Sequence, residues 1–503
     1  MNRNYMIQQL EFTPEWDVCI IGGGATGLGT ALDAASRGFK TILFEQYDFA
    51  KGTSSRSTKL VHGGVRYLQQ GNIRLVMEAL RERGLLLKNA PHLVHNQKFV
   101  VPNYKWWEKT FYGIGLKIYD KMAGKLGLGP SQLLSREETL QLAPTLDPED
   151  LKGGVLYHDG QFDDARLAIS LAQTAAQYEA TLLNYFPVSG LLKMQKNICG
   201  VWVKDFLTGK EFEVKSKVVI NATGVFTDAI IKMDDAKHEN IINPSQGIHL
   251  VVDKEFLPGD TAIMIPRTDD GRVLFAVPWH DKIVLGTTDT AIENVSAEPI
   301  PQQEEIEFIL SHIGRYLSKD PQLSDVRSVF AGLRPLVKGK GKKTAAISRD
   351  HLVNVSASGL ITITGGKWTT YRKMAEDVLD IAIQQSAMPQ QQCITKELKL
   401  TGHDKQAPSA EITSLTEEEL KSIIKKSVEK EMCMTIEDFL SRRTRQLLLN
   451  ANEAIKAAPL VARIMAEEMS KNENWIKEQI DTFNKVAANY APTSNLQLRT
   501  SNQ

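Results

Sequence analysis

The chain has 503 residues, of which 24% are charged and 42% hydrophobic, with 60 basic side chains balancing 60 acidic ones. That length exceeds one small domain and suits two or three packed domains with ordinary cores. The balanced charge excludes a general field for nucleic acid, and the scattered Cys19, Cys199, Cys393 and Cys433 exclude a disulfide framework and show no metal-ligand spacing.

Met1 to Glu15 lacks the apolar stretch of a signal peptide, and no apolar run is long enough to span a bilayer. A soluble or surface-bound protein on the reducing, cytoplasmic side is expected. An apolar strand, Asp17-Val-Cys-Ile-Ile21, then runs into Gly22-Gly-Gly-Ala-Thr-Gly27 and a helix from Leu28 to Arg37. A second strand, Thr41-Ile-Leu-Phe44, ends at Glu45, which completes one βαβ unit. Cys19 falls inside the first strand, where a buried, inert thiol is expected.

From about residue 151 to 220, strand-like and helical segments alternate and end at Asn221-Ala-Thr-Gly224. Residues 245–290 read as several strands, with turn pairs at Asp270-Gly271 and His280-Asp281, as in an antiparallel sheet. Leu360 to Thr364 forms another strand, followed by Gly365-Gly366 and a helix beginning near Thr369. From about Thr401, Glu, Lys and Leu recur at helical spacing, with Pro408 and Ser409 marking a linker. No internal repeat is present.

A glycine-rich turn between strand and helix points backbone N–H groups and a helix dipole at a pyrophosphate. Gly22 permits the turn, Gly23 and Gly24 bring the phosphates close to the backbone, and Gly27 lets helix and strand pack. Glu45 has the spacing of a ribose-hydroxyl acceptor and disfavours a 2′-phosphate. No second fingerprint occurs; Gly339-Lys-Gly-Lys-Lys-Thr344 lacks the final glycine and a preceding strand. Ala222, Thr223 and Gly224 resemble the second flavoprotein signature, so one dinucleotide, FAD, is expected without a nicotinamide partner.

Thr53-Ser-Ser-Arg-Ser-Thr-Lys-Leu-Val-His-Gly-Gly-Val-Arg-Tyr67 resembles the flavin loop of the FAD-dependent (respiratory) glycerol-3-phosphate dehydrogenases. Further resemblance lies in Phe162-Asp-Asp-Ala-Arg166, Leu285-Gly-Thr-Thr-Asp289, Gly332-Leu-Arg-Pro-Leu336, Ile347-Ser-Arg-Asp350 and Gly365-Gly-Lys-Trp-Thr-Thr-Tyr-Arg372. It runs from about residue 17 to 380, weakens at Ser441-Arg-Arg-Thr-Arg445, and thins after Lys399. It implies FAD held in part by Thr53, Ser54 and Ser55, glycerol 3-phosphate as substrate, dihydroxyacetone phosphate as product, and a membrane quinone as acceptor. Competing readings are a soluble oxidase that uses oxygen, an amine or amino-acid oxidase on the same scaffold, and a flavin-binding module without turnover.

The resemblance also gathers Arg66, Arg334, Arg349 and Lys367 around flavin and substrate, where forked or point cations suit a phosphate. Arg66 and Lys367 are assigned to the phosphate with Tyr67 as a hydrogen-bond donor, Arg334 to the C2 oxygen, and Arg349 to assist. His62 is the candidate general base, the alternative being a histidine that only braces a loop. Gly365 and Gly366 present N–H groups and a helix start to the flavin ring. Thr369 either bonds that ring or caps the helix.

The expected fold is α/β, of amino-acid-oxidase type: a discontinuous Rossmann-like FAD domain (1–90, 150–235, 330–390), an inserted sheet-rich substrate domain (91–149, 236–329), and a small C-terminal helical domain (400–503). Between Lys105 and Leu128, Trp107, Phe111, Ile114, Ile118, Met122 and Leu126 form one helical stripe beside recurring lysines. It suits a headgroup layer on the cytoplasmic face of the cell membrane, the bland alternative being that it packs on the protein's own core. The sequence leaves room for a homodimer.

Overall fold

The computed structural model describes residues 1–65, 71–338, 351–403 and 412–492. Arg66, Tyr67, Arg349, Pro408, Ser409 and the 339–344 run therefore lie outside the described residues.

Two sheets carry the chain. The first has the order His351–Val355, Ile361–Gly365, Glu211–Asn221, Trp16–Ile21, Thr41–Glu45, Thr181–Asn184. Along this path all neighbours run parallel except the first pair, and Asn197–Lys204 and Val188–Met194 extend Glu211–Asn221 as an antiparallel branch. Its central strand is buried on both faces, which explains its unbroken apolar run. Cys19 pairs with Val219 on one side and Ile42 on the other, and burial pushes its thiol well above the ordinary range. The helices Ala25–Ser36, Asp164–Gln177 and Tyr371–Gln385 pack together and share one core with this sheet.

The second sheet is mostly antiparallel and has ten strands among the described residues. Ile242–Asp253 is its hub, pairing with Lys282–Gly286 and with Val326–Val337. Gly153–Phe162 and Val326–Val337 are strands of this sheet, although the expected boundaries put the first and most of the second on the nucleotide side. Alternation along a strand tells which residues share a face, not which sheet claims the strand.

The C-terminal region is helical as expected: Glu417–Glu431, Ala451–Glu468 and Glu473–Ala487. Thr416 and Glu419 close a capping box on the first, and Asn450 and Asn472 cap the other two. Its apolar core extends onto the second sheet through Val251, Val284 and Phe330.

The stripe expected between Lys105 and Leu128 divides. The helix Glu108–Ala123 buries Leu116 and Tyr119, while Phe111, Ile114 and Ile118 are about half exposed, at 53%, 57% and 48%. Met122 packs on the interior instead, and Gly84 leaves room for Leu126. Trp106 stands 85% exposed beside them. Among the described residues no helix is long and apolar enough to cross a membrane.

Candidate active site

A groove of about 290 Å³ runs along the strand ends of the first sheet. Gly22, Gly24, Glu45, Thr53, Ser54, Ala222, Thr223, Gly224, Gly365 and Gly366 line it. The turn is tight: a Cβ on Gly27 would sit 1.9 Å from the carbonyl oxygen of Gly22. Glu45 Oε2 accepts from Gly23 N–H at 2.6 Å and Oε1 from Tyr47 N–H at 2.9 Å. Burial pushes this carboxyl above its usual range, against those two bonds. The Ser54 hydroxyl accepts from Ala25 N–H at 2.9 Å, tying the flavin loop to the helix start. Asn221 turns inward and bonds Thr223, so the Ala222-Thr223-Gly224 backbone faces the groove. An acid at the second strand's end, small residues on both walls and a helix N-terminus fit a dinucleotide. Ser55 is buried and gives its carbonyl to Lys59 Nζ at 2.7 Å, away from the groove wall.

The groove continues into a chamber of about 200 Å³; Thr53, Gly365, Gly366, Lys367 and Trp368 face both. His62 and the Lys367–Thr369 turn, which follow two strand ends, and Arg334, within Val326–Val337, are thus brought to one cavity. Thr369 is an anchor: its hydroxyl accepts from His62 N–H at 3.2 Å, and the helix proper starts at Tyr371. The Trp368 indole donates to the Ser54 carbonyl at 2.9 Å, which closes the wall between groove and chamber.

Arg334 has a built seat. Its Nη2 donates to Thr287 Oγ1 at 3.0 Å and to the Thr288 carbonyl at 2.9 Å, and Nη1 lies 3.4 Å from Asp289. This explains the Leu285–Asp289 motif. Gly247, across the sheet, leaves space for the guanidinium: a Cβ there would be 2.2 Å from Nη2. The Phe162–Arg166 motif is also accounted for. Asp164 accepts from Lys59 Nζ at 2.8 Å and from the Ser57 hydroxyl at 2.7 Å, pinning the flavin loop from beneath.

Sequence reasoning missed His249. It is 2% exposed, faces the chamber, stacks on Phe330 at 4.9 Å, and its Nε2 lies 2.8 Å from the Thr58 hydroxyl. Its Nδ1 is buried without a hydrogen-bond partner among the described residues. Burial, and then the charges of Arg334 and Lys59, hold it well below the usual histidine range, so it is neutral. The available signal was a glycine two residues before a histidine within one strand, since both then share a face and the glycine marks a close approach.

A third cavity of about 450 Å³, mostly apolar, adjoins the chamber at Thr58, Leu60, His62 and Arg334. Phe99, Tyr157, Met264 and Phe275 line its depth, and the exposed Phe111, Ile114 and Ile118 line its outer end. Among the described residues no cluster could hold a metal ion.

A parallel sheet with one dinucleotide groove, set against an antiparallel sheet that walls a reaction chamber, defines a two-domain FAD-dependent oxidoreductase. Residues 17–372 match the family model for FAD dependent oxidoreductases, and residues 369–476 match the C-terminal domain of alpha-glycerophosphate oxidase. The mitochondrial glycerol-3-phosphate dehydrogenase of Mus musculus is 40% identical, with 96% of this chain and 74% of that one covered. Its counterpart in Arabidopsis thaliana is 37% identical, with 96% and 87% covered. The crystal structure of glycerol-3-phosphate dehydrogenase from Bacillus halodurans complexed with FAD superposes with a TM-score of 0.80 at 30% identity, covering 98% of both chains. The chain belongs to the FAD-dependent glycerol-3-phosphate dehydrogenase family, and its cofactor is FAD.

Proposed function

We propose that this protein oxidises the C2 hydroxyl of sn-glycerol 3-phosphate to the ketone of dihydroxyacetone phosphate and passes the electrons to a membrane quinone at the cytoplasmic face of the cell membrane. The observation that carries this reading is a chamber, lined by Arg56, Arg334, Lys367 and two imidazoles, that opens on one side to the nucleotide groove and on the other to an apolar cavity. FAD, when bound, supplies the hydride acceptor. The side chains supply the rest. Lys367 neutralises the phosphate, with Arg66, Tyr67 and Arg349 assigned beside it by resemblance. Arg334, oriented by Thr287 and Thr288, polarises the C2 oxygen. His62 takes the hydroxyl proton, and neutral His249 orients Thr58 on the same wall.

The apolar cavity supports the quinone reading. Glycerol 3-phosphate is small and polar and has no use for it, whereas a lipid-dissolved acceptor needs a path from the bilayer. Exposed Phe111, Ile114 and Ile118 at the outer end, with exposed Trp106 just before the same helix, suit an interfacial surface. Oxygen is the second acceptor considered, because the C-terminal match is to an oxidase family.

The test is anaerobic mixing of the purified protein with glycerol 3-phosphate while the oxidised flavin band is followed. Bleaching by glycerol 3-phosphate but not by glycerol or amino acids is expected; no bleaching sinks the substrate assignment. Addition of a quinone then restores the band. Stoichiometric hydrogen peroxide in air, with no response to quinone, replaces the acceptor by oxygen.

A further inference from the structure

The C-terminal helical region touches the rest of the molecule in two chemically different ways. Against the second sheet it packs through apolar side chains. Against the loop that follows Glu45 it docks almost wholly through buried charge. Asp48, fully buried, accepts from Arg442 Nε at 2.6 Å and from Arg443 Nη1 and Nη2 at 2.8 and 2.9 Å. Three residues on, Lys51 Nζ meets Glu437 at 2.6 Å, and Arg442 bridges back to Glu437 at 2.9 Å. Both arginines sit on the short π-helical segment Asp438–Arg443, whose Asp438 also accepts from Tyr185 at 2.6 Å.

The loop so held is a wall of the nucleotide groove. Gln46, Tyr47, Ala50, Lys51 and Gly52 line it, directly after the carboxylate expected to meet the ribose. The loop has no helix or strand; Phe49 and Ala50 seat it in the core, Ala50 N–H donates to the Gly23 carbonyl, and Asp48 and Lys51 are its charged anchors. A buried ion pair adds little net stability compared with an apolar contact of the same size, because desolvation offsets the attraction. What it does supply is a fixed geometry, since each group must keep its partner.

We propose that the C-terminal helical region is a lock on the cofactor. Arg442 and Arg443 seated on Asp48, and Glu437 seated on Lys51, hold the 46–52 loop in the shape that closes over FAD. FAD release then requires this segment to disengage. These are positioning residues; Arg442, Arg443 and Glu437 are not among the groove-lining side chains. The inference rests on FAD as cofactor and not on which alcohol is oxidised.

The experiment uses the full-length holoenzyme and measures the FAD dissociation constant by ultrafiltration and the release rate by recovery of free-flavin fluorescence. Arg443→Lys keeps the charge and loses the forked bond; Glu437→Gln is the milder change. Both are expected to raise the dissociation constant at least tenfold, with activity lost on dilution returning when FAD is added. Val461→Ala, in the C-terminal apolar core, serves as the stability control and is expected to hold FAD within twofold of the parent. Dissociation constants within twofold for both loop-side variants overturn the lock. So does equal loosening by Val461→Ala at an equal loss of thermal midpoint. If Arg443→Lys does not fold, Glu437→Gln against Val461→Ala decides alone.

Discussion

Gly247→Ala tests the seat of Arg334 without touching the arginine. The added methyl would lie 2.2 Å from Nη2, 2.6 Å from Cζ and 2.7 Å from Nη1, where carbon contacts settle at about 3.5–4 Å. The guanidinium must therefore move by roughly 1 Å, which breaks its bonds to Thr287 and Thr288. Gly247 does not occupy left-handed backbone, so alanine is compatible with the strand. A misplacement of about 1 Å costs on the order of 100-fold in turnover efficiency, or about 2.7 kcal/mol of transition-state stabilisation. The assay is kcat/KM for glycerol 3-phosphate, with the flavin spectrum as a check that the groove is intact. Arg334→Ala alone is expected to keep FAD and slow anaerobic bleaching by orders of magnitude. In the Arg334→Ala background the methyl has nothing left to displace, so Gly247→Ala is expected to cost less than about twofold there. A full 100-fold loss persisting in that background, or no loss in the single variant, refutes the reasoning.

Lys367→Ala is expected to raise KM for glycerol 3-phosphate more than tenfold with a smaller change in kcat; an unchanged substrate dependence removes it from the phosphate. Phe111→Asp with Ile114→Asp is expected to reduce co-sedimentation with anionic vesicles and slow a long-chain quinone, while a water-soluble dye is reduced normally. Equal losses with both acceptors would place the fault at the chamber instead. A pH series on Glu437→Gln tests the buried charge. Burial alone would raise Glu437, but Arg442 and Lys51 outweigh it and hold the carboxyl down to about 2. An unfolded glutamate titrates near about 4.3, so between these values the folded state binds fewer protons and stability rises with pH. The thermal penalty of Glu437→Gln should be full from pH 7 to 5 and shrink as pH falls toward 2; a constant penalty contradicts the assignment.

What was legible in the sequence was local. The turn at Gly22 to Gly27, the acid at Glu45 and the alternating strands follow from short-range rules, even though the contacts they go on to make are long-range. The Leu285–Asp289 and Phe162–Arg166 motifs were recognisable, yet their work was not. Asp289 meets Arg334 across 45 positions and Lys59 meets Asp164 across 105, distances that only the sheet register resolves. His249 escaped because an isolated histidine in an apolar strand is ordinarily core, and its polar surroundings, Arg334, Lys59 and the Thr58 hydroxyl, come from distant segments. Periodicity found the stripe on Glu108–Ala123 but not its orientation, since the helix also carries the buried Leu116 and Tyr119. Arg442 and Arg443 lay in the segment of weakest resemblance, although their partner Asp48 sits three residues after the best-defined acid in the chain.

The arrangement separates two demands that a flavin site must meet together. The dinucleotide groove draws on the first sheet and a loop that charge fixes from outside; the chamber takes Arg334 from the second sheet and Lys367 from the turn after Ile361–Gly365 of the first. Among the described residues the wall shared by both is narrow: Thr53, Pro335 and the Gly365–Trp368 turn. That wall is braced from each direction, by Trp368 on Ser54 and by Thr369 on His62. A change in the Arg334 seat can therefore alter chemistry and spare the flavin, and a change at Arg443 can loosen the flavin and spare the seat. Substitutions at Thr369 or Trp368 are expected to disturb groove and chamber together, because the bonds they lose, to His62 N–H and to the Ser54 carbonyl, tie the two walls to each other.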